Sequence, residues 1–536
     1  MKASGLLRII LMAAVVTISY YLLSELRHVG KDTVLYMSSS TQKFVNHWLE
    51  EGPVNLKFVM YEDFPSIEFN SLNEREAYVS YPPGAVAPPY IAAKALGMSH
   101  IDVQFIQGFM KFWFLLSSIL ACLVFYGLLS ECLKTVNRTV AAASSALMTV
   151  AWMLIPVNLF AMRNLYFADQ CVIPIVFLFI LTEIYRRRFE DKPRLIRWLF
   201  NVFRFAVSLF GVMTDYYFLS VLFVAWLIRI VPLLKGNDGR LKRVIYESWM
   251  YVLPVIIGLG LFALQVSTVD NGWTLLLGKL EQRTYSKYTY KGHIEDVNLL
   301  FRFLRQYASA FSLYGAIFTL IFAVVFVYNT SLFLKGRTRA GNPFPALFGV
   351  SLLVFAPPVI HSLVLLNHTV NHGFAMVKFT FPFVCFALLP VMYAVNRYRI
   401  TFLPAMAVML AVMVVSTHGF RRLRRYNTIP NITELSIVIG DNCGYNDVCF
   451  CFTDSIPTNP PMQHVISEKQ VYPVKSEREI HERFPNLNGN AKILLVIEAD
   501  GDWKDAEIKA VEDSIRKQSS FRFASEHYEV YEIKRR

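Results

Sequence analysis

The sequence predicts a polytopic α-helical membrane protein of about 11 transmembrane helices, with a long first extracytoplasmic loop and a small C-terminal α/β domain. Three observations predict it. Hydrophobic residues make up 54% of the 536 and charged residues only 17%, and the mean hydropathy is +0.39; a chain of that balance uses lipid to cover apolar surface. Apolar runs recur at 5–24, 110–130, 139–161, 169–185, 198–213, 217–234, 246–268, 309–329, 344–366, 374–394 and 401–419, most of them near the roughly 20 residues that cross a hydrocarbon core. A polar segment, 26–107, separates the first run from the second, and another, 427–536, follows the last. The chain therefore divides into a transmembrane domain, 1–426, and a soluble domain, 427–536.

Charge sets the orientation. The nearly continuous run from Phe205 to Leu234 reads as two short helices broken near Gly211-Val-Met-Thr-Asp215, because both of its flanks are basic. Arg186, Arg187, Arg188, Lys192, Arg194 and Arg197 precede it, and Lys235, Arg240, Lys242 and Arg243 follow it. Positive charge gathers on cytoplasmic loops, and two crossings return the chain to the same side where one does not. Lys134 and Arg138, then Lys335, Arg337 and Arg339, then Arg397 and Arg399 fall on that side as well, as do Lys2 and Arg8 at the amino terminus. An odd count of spans sends the long first loop and the C-terminal domain to the outer face. Arg421, Arg422, Arg424 and Arg425 pull the other way, but the rule weakens before a sizeable trailing domain. The expected location is the plasma (inner) membrane, crossed many times.

The first apolar run has the basic start and apolar core of a signal peptide, but no Ala-x-Ala-like site follows it, so it is read as an anchor. The net charge of +13 does not indicate nucleic acid, since most of the basic residues occupy short loops where they set topology and meet anionic lipid heads. Of seven cysteines, Cys443, Cys449 and Cys451 lie in the tail. Outside the cell, one disulfide such as Cys443 to Cys449 is admissible, while a zinc site lacks a second ligand pair.

In the first loop, Val34, Met37, Phe44, Val45, Trp48 and Leu49 fall on one face of a helix that Glu51-Gly52-Pro53 stops. Such a helix beside a span is expected to lie flat in the membrane interface. In the tail, 435–439, 448–452, 492–497 and 528–533 have strand character and 503–517 reads as a helix, giving a small α/β domain. It carries no phosphate-loop or nucleophile-elbow pattern, which suits a supporting or substrate-gating role.

An ionisable group at membrane depth is costly, and is read as functional unless pairing explains it. Asp169 is the sharpest case, in a short turn that begins at Met162-Arg163, where an Arg163–Asp169 pair is the bland alternative. Asp215 sits at the break between two short spans beside Thr214, Tyr216 and Tyr217, and capping is its competing role. Asp32, just after the first span, is equally an N-cap carboxylate. Two histidines, His368 and His372, with Lys378 at the start of a span suit a phosphate-bearing ligand, although Lys378 can also snorkel. The loop 269–309 carries Lys279, Arg283, Lys287, Lys291, Arg302 and Arg305 among tyrosines; it reads equally as a funnel for an anionic lipid and as an interfacial helix.

Asp32, Asp169, Asp215, His372 and Lys378 all fall on the outer face under this topology. A first span, a long outer loop with Asp32 near its start and Tyr81-Pro82-Pro83 near its end, and then Arg163-x5-Asp169 after the third span resemble the GT-C superfamily of integral membrane glycosyltransferases. That superfamily includes the protein O-mannosyltransferases and the lipid A aminoarabinose transferases. The resemblance implies transfer of a sugar from a polyprenyl phosphate on the outer face, with Asp32 as the first-loop carboxylate that acts as base or orients the acceptor, and Asp169 as the second-loop carboxylate. There are departures. The aminoarabinose enzymes carry a basic residue just before Pro-Pro, where this chain has Tyr81, so Arg75 or Lys378 is the expected substitute for that phosphate contact. Thr33 replaces the acidic partner that often follows the first aspartate, and a Thr-Lys pair of some members reads Thr214-Asp215 here.

The chemistry fits without the analogy. Transfer from a lipid-phosphate sugar needs a carboxylate to take the acceptor's proton and cations to stabilise the leaving phosphate. Asp32 and Asp169 suit the first task, and Arg163, His372 and Lys378 the second. No ligand cluster demands a metal, and a divalent cation held by Asp32 and Asp169 stays open. The expected function is a glycosyltransferase acting on a polyprenyl-phosphate sugar and a glycan, lipid or protein acceptor of the cell envelope, with membrane lipids as the other partner. A lipid or oligosaccharide transporter accounts for the spans but has no need of carboxylates gathered on one face. A noncatalytic envelope-assembly protein accounts for the tail and tolerates loss of both aspartates.

Overall fold

The fold was taken from a computed structural model, which describes residues 3–25, 36–62, 75–132, 138–155, 157–158, 166–234, 240–284, 289–290, 293–294, 300–308, 310–311, 331, 344–385, 434–435, 438–439, 448–452, 470–474, 478–480, 493–498, 506–524 and 528–533. Asp32, Arg163, Cys443, nearly all of the run 309–329 and the whole run 401–419 lie outside the described residues.

Helices α1 (Ala3–Glu25), α2 (Tyr36–Glu50), α3 (Ala87–Ala95), α4 (Val103–Gly127), α5 (Arg138–Leu154), α6 (Ala168–Glu190), α7 (Arg194–Val212), α8 (Tyr217–Leu234) and α9 (Arg240–Val266) follow in chain order. Then come α10 (Gly272–Arg283), α11 (Phe344–Val364), α12 (Leu366–Asn371) and a 3-10 segment, Gly373–Phe379. Among the described residues five helices are long and apolar enough to cross a membrane, with α1, α5 and two later segments shorter in their apolar part. The chain is thus an integral membrane protein of mostly helical fold. The run from Phe205 to Leu234 breaks at Met213–Tyr216 into α7 and α8, as the paired basic flanks require.

The first-loop helix corrects an expectation. Instead of lying flat with one face in the interface, α2 is buried on both its apolar and its polar sides: Phe44, Val45, Trp48 and Leu49, but also Ser38, Thr41, Gln42, Asn46 and His47. Its polar side chains find protein partners in place of water. Thr41 Oγ1 donates to the Tyr166 carbonyl at 2.7 Å, Gln42 Nε2 to the Ile101 carbonyl at 3.1 Å, and Asn46 closes a pair with Ile101 through bonds of 3.0 and 2.8 Å. Polar groups removed from water cost little only when they are hydrogen-bonded. The amphipathic pattern marked a helix, and these partners decided which surface it met.

One end of the bundle is locked by charge. Arg186, Arg204 and Arg229 meet Glu183, Glu190 and Glu247 across α6, α7, α8 and α9. Arg186 reaches Glu190 at 2.9 Å and Glu247 at 3.2 Å, Arg229 reaches Glu247 at 2.9 Å, and Arg204 pairs with Glu183. Asp169, in the first turn of α6, lies at the other end of that helix.

Short antiparallel ladders join β1 (Met60–Tyr61) to β2 (Ala77–Tyr78) and β3 (Thr289–Tyr290) to β4 (His293–Ile294). The C-terminal segment forms one five-stranded sheet of order β6-β5-β7-β9-β8, with α13 (Ala506–Gln518) beside it. Strands β5 (Val448–Phe452), β6 (Gln470–Val474) and β7 (Ile493–Glu498) run parallel, while β8 (Ser520–Ala524) and β9 (Tyr528–Ile533) run antiparallel. Both faces carry apolar clusters, one around Phe450, Leu495 and Ile515 and the other around Leu435, Cys449 and Tyr528. The strand expected at 435–439 is corrected, since its described residues are helical and cover the second face. Strands β6 and β8 had not been expected. Cys449 and Cys451 are buried on β5.

Candidate active site

Three segments converge at the end of the bundle opposite the arginine–glutamate lock. The first is the N-terminus of α6. Asp169 stands in its first turn, where the unpaired amides and the helix dipole favour a negative charge. The second is the turn between α7 and α8, where Asp215 Oδ1 accepts from the Tyr217 amide at 2.8 Å. Capping and site membership thus coexist at Asp215. The third is the 3-10 segment after α12, which brings Lys378 inward and is tied to α5 where Trp152 Nε1 donates to Thr380 Oγ1 at 2.9 Å.

Lys378 Nζ lies 2.7 Å from Asp169 Oδ1 and 2.8 Å from Asp215 Oδ2, and its nitrogen is 3.3 Å from His361 Nε2 on α11. His361 in turn is 3.7 Å from Asp215 Oδ1. The two aspartates are 0% exposed, Lys378 3% and His361 4%, so these charges answer one another rather than water. Burial alone would raise the Asp215 carboxyl; Lys378 and His361 beside it outweigh burial and hold it well below the usual carboxylate range. Asp169 Oδ2 has no hydrogen-bond partner among the described residues.

A second group forms around Tyr81. Its ring stacks on Tyr216 at 5.6 Å and meets Phe167 edge-on at 5.8 Å. The Arg283 guanidinium, at the end of α10, lies 4.4 Å from its centroid and donates to the Ser80 carbonyl at 3.0 Å. Tyr81 Oη is 3.1 Å from His368 Nε2. Burial, reinforced by Asp169, pushes the Tyr81 phenol well up, and burial with His372 and Arg283 nearby pushes His368 well down. The phenol therefore keeps its proton and donates to a neutral imidazole. The His372 ring lies 4.6 Å from that of His368, tilted by 52°, and the residue is exposed.

Pro82-Pro83-Gly84 joins the two groups. The Gly84 amide donates to the Met213 carbonyl at 2.7 Å, two residues before Asp215. A Cβ on Gly84 would stand 2.4 Å from that oxygen and 2.7 Å from Thr214 Oγ1, so only glycine allows the first loop to approach the α7–α8 turn this closely.

Of the residues expected from sequence, Asp169, Asp215 and Lys378 meet directly, and Tyr81 and His372 surround His368. Arg75 goes elsewhere: it pairs with Glu51 at 2.8 Å and covers the Tyr61 ring at 4.6 Å. Lys378, expected from sequence to meet the donor phosphate, is engaged by two carboxylates. His361 went unread, although an ionisable group inside the apolar run 344–366 was signal enough. Arg283 was one of six cations in its loop, and only the fold singles it out. Among the described residues the donors do not fit a divalent metal: Asp169 and Asp215 are engaged by an ammonium, and no group of three or more potential ligands is assembled; the cation expected between Asp32 and Asp169 lies outside the described residues.

These features define a polytopic membrane fold with a polar site at one end of its helical bundle. No protein-family profile and no curated protein sequence matches the chain. Among solved structures it is similar to ArnT from Cupriavidus metallidurans bound to undecaprenyl phosphate, with a TM-score of 0.57 at 12% identity over 99% of this chain and 98% of that one. Apo ArnT from the same organism gives 0.52 at 12% identity, with the same coverage. The likeness is one of fold, and it bears out the resemblance to the GT-C membrane glycosyltransferases.

Proposed function

We propose that this protein is a glycosyltransferase that moves a sugar from a polyprenyl-phosphate carrier to an acceptor of the cell envelope, at the outer face of the plasma membrane. The observation that carries the proposal is the pair of aspartates, Asp169 and Asp215, buried at one end of the bundle beside a separate cationic group around Arg283. The fold shared with ArnT, whose structure holds undecaprenyl phosphate, supports a lipid-phosphate donor.

The sugar's anomeric carbon loses its bond to the phosphate oxygen, which departs with the electron pair. The same carbon gains a bond to the acceptor hydroxyl oxygen, whose proton passes to a carboxylate. Asp32 is assigned that proton. Asp169 Oδ2, without a partner among the described residues, accepts a hydrogen bond from a substrate hydroxyl, and Arg283, with His372, receives the phosphate as its charge grows. The C-terminal domain lies on the same outer face and covers or gates the site.

The test is transfer in proteoliposomes supplied with labelled polyprenyl-phosphate sugars and extracted envelope acceptors. The wild type is expected to label an acceptor, and Asp32→Asn and Asp169→Asn, matched for folding, to lose at least about a hundredfold in rate. Movement of the labelled lipid across the bilayer without transfer, indifferent to both changes, would replace the proposal with a transporter.

A further inference from the structure

Two carboxylates buried side by side repel one another unless a cation lies between them. Asp169 from α6 and Asp215 from the α7–α8 turn are such a pair, and the cation between them is the Lys378 ammonium, 2.7 and 2.8 Å away. The other polar groups facing it are His361 from α11, at 3.3 Å, and the Tyr217 ring of α8, whose centroid lies 5.4 Å away. Two carboxylate oxygens and an imidazole nitrogen around one point are the donors a divalent cation would take. Here a side-chain nitrogen occupies that point. It is held there by the 3-10 segment and by the Trp152–Thr380 bond, so it is a fixture of the fold.

Charge counting sharpens the point. Two aspartates and one lysine leave one excess negative charge. An incoming phosphate is therefore repelled from Lys378 and directed to Arg283, whose guanidinium lies against the Tyr81 ring and donates to the Ser80 carbonyl.

We propose that Lys378 is the resident cation of the site, a positioning residue that bridges Asp169 and Asp215 and holds them adjacent in place of a divalent metal. For its catalytic consequence the inference rests on the proposed glycosyl transfer; its structural core does not.

The test compares the full chain in lipid nanodiscs as wild type, Asp215→Asn, Lys378→Met and the double variant. Lys378→Met leaves two unanswered carboxylates and is expected to lower the melting temperature by about 5 °C or more. The double variant restores the wild-type net charge of the cluster and is expected to recover at least half of that loss. If Lys378→Met does not fold, recovery of a folded protein by the double variant supports the proposal. A double variant no better than Lys378→Met overturns it, since a lysine that merely fills space is not rescued by removing a carboxylate.

Two further readouts separate positioning from packing. Wild-type melting and transfer are expected to be unchanged by EDTA or by added Mg2+ or Mn2+, and dependence on a divalent cation overturns the proposal. The acid limb of the transfer rate is expected to move to higher pH in Lys378→Met and to return in the double variant. A protein that transfers no polyprenyl-phosphate sugar removes the functional reading, while the melting comparison still decides the role of Lys378.

Discussion

At the scale of single residues, the site divides its charges between two tasks. Lys378 is neutralised by the aspartates it separates, and Arg283 faces the ring of Tyr81. Arg283→Ala is accordingly expected to weaken donor lipid binding by roughly tenfold or more, about 1.5–3 kcal/mol for a hydrogen bond to a charged group, measured by lipid titration of the purified protein. Asp215 supplies a pH prediction. Its folded-state pKa is depressed, so its contribution to stability is fully present above the unfolded value of roughly 3.9 and fades as pH falls through the lower folded value. Melting temperature followed downward from pH 5 should therefore fall more steeply in the wild type than in Asp215→Asn; parallel curves would mean that Asp215 is not held ionised. Asp169 and Asp215 were legible in the sequence because an ionisable residue between apolar runs is conspicuous. Arg283 was not, since nothing in a row of six basic residues distinguishes the one that folds back over Tyr81.

At the scale of elements, the close approach of Pro83–Ala85 to the α7–α8 turn holds the two halves of the site together. Gly84→Ala places a Cβ against the Met213 carbonyl and is expected to cost about 1–3 kcal/mol and to lower transfer with it, read by melting and by rate on the same preparation. Unchanged values would show that the turn gives way freely. Helix existence was readable in α1 and α4 through α9, where runs of apolar residues leave few alternatives. The placement of α2 was not readable. Its amphipathic face fitted an interfacial helix equally well, and its burial depends on carbonyls of Tyr166 and Ile101 contributed by distant segments. In the C-terminal sheet, β5, β7 and β9 announced themselves by apolar and β-branched residues, whereas β8 is exposed along its length and has little apolar signal beyond Phe521 and Phe523.

At the scale of the whole molecule, the bundle has two polar ends of different construction. One end is an arginine–glutamate lock of three against three, and the other carries an excess negative charge beside a separate cation. Breaking the lock with Arg204→Leu removes the guanidinium paired with Glu183 and leaves that carboxylate the Tyr251 hydroxyl; it is expected to cost about 3 kcal/mol while leaving donor affinity unchanged, because the lock lies at the far end of α6. Orientation is checked by cysteine labelling. Val54, in the first loop, and Leu241, at the start of α9, are both well exposed. A cysteine at 54 should react with an impermeant reagent in intact cells and one at 241 only after permeabilisation; the reverse pattern would invert the topology. The basic flanks predict that orientation from the sequence, whereas the site could be assembled only once distant turns were packed together.

The central claim is a lipid-phosphate site beside a carboxylate pair that carries its own cation. The most direct measurement is a structure of the protein with polyprenyl phosphate bound. The account predicts the phosphate within hydrogen-bond distance of the Arg283 guanidinium and beside Tyr81, with Lys378 still seated between Asp169 and Asp215. A phosphate coordinated by Lys378, with either aspartate displaced or joined by a metal ion, would contradict it.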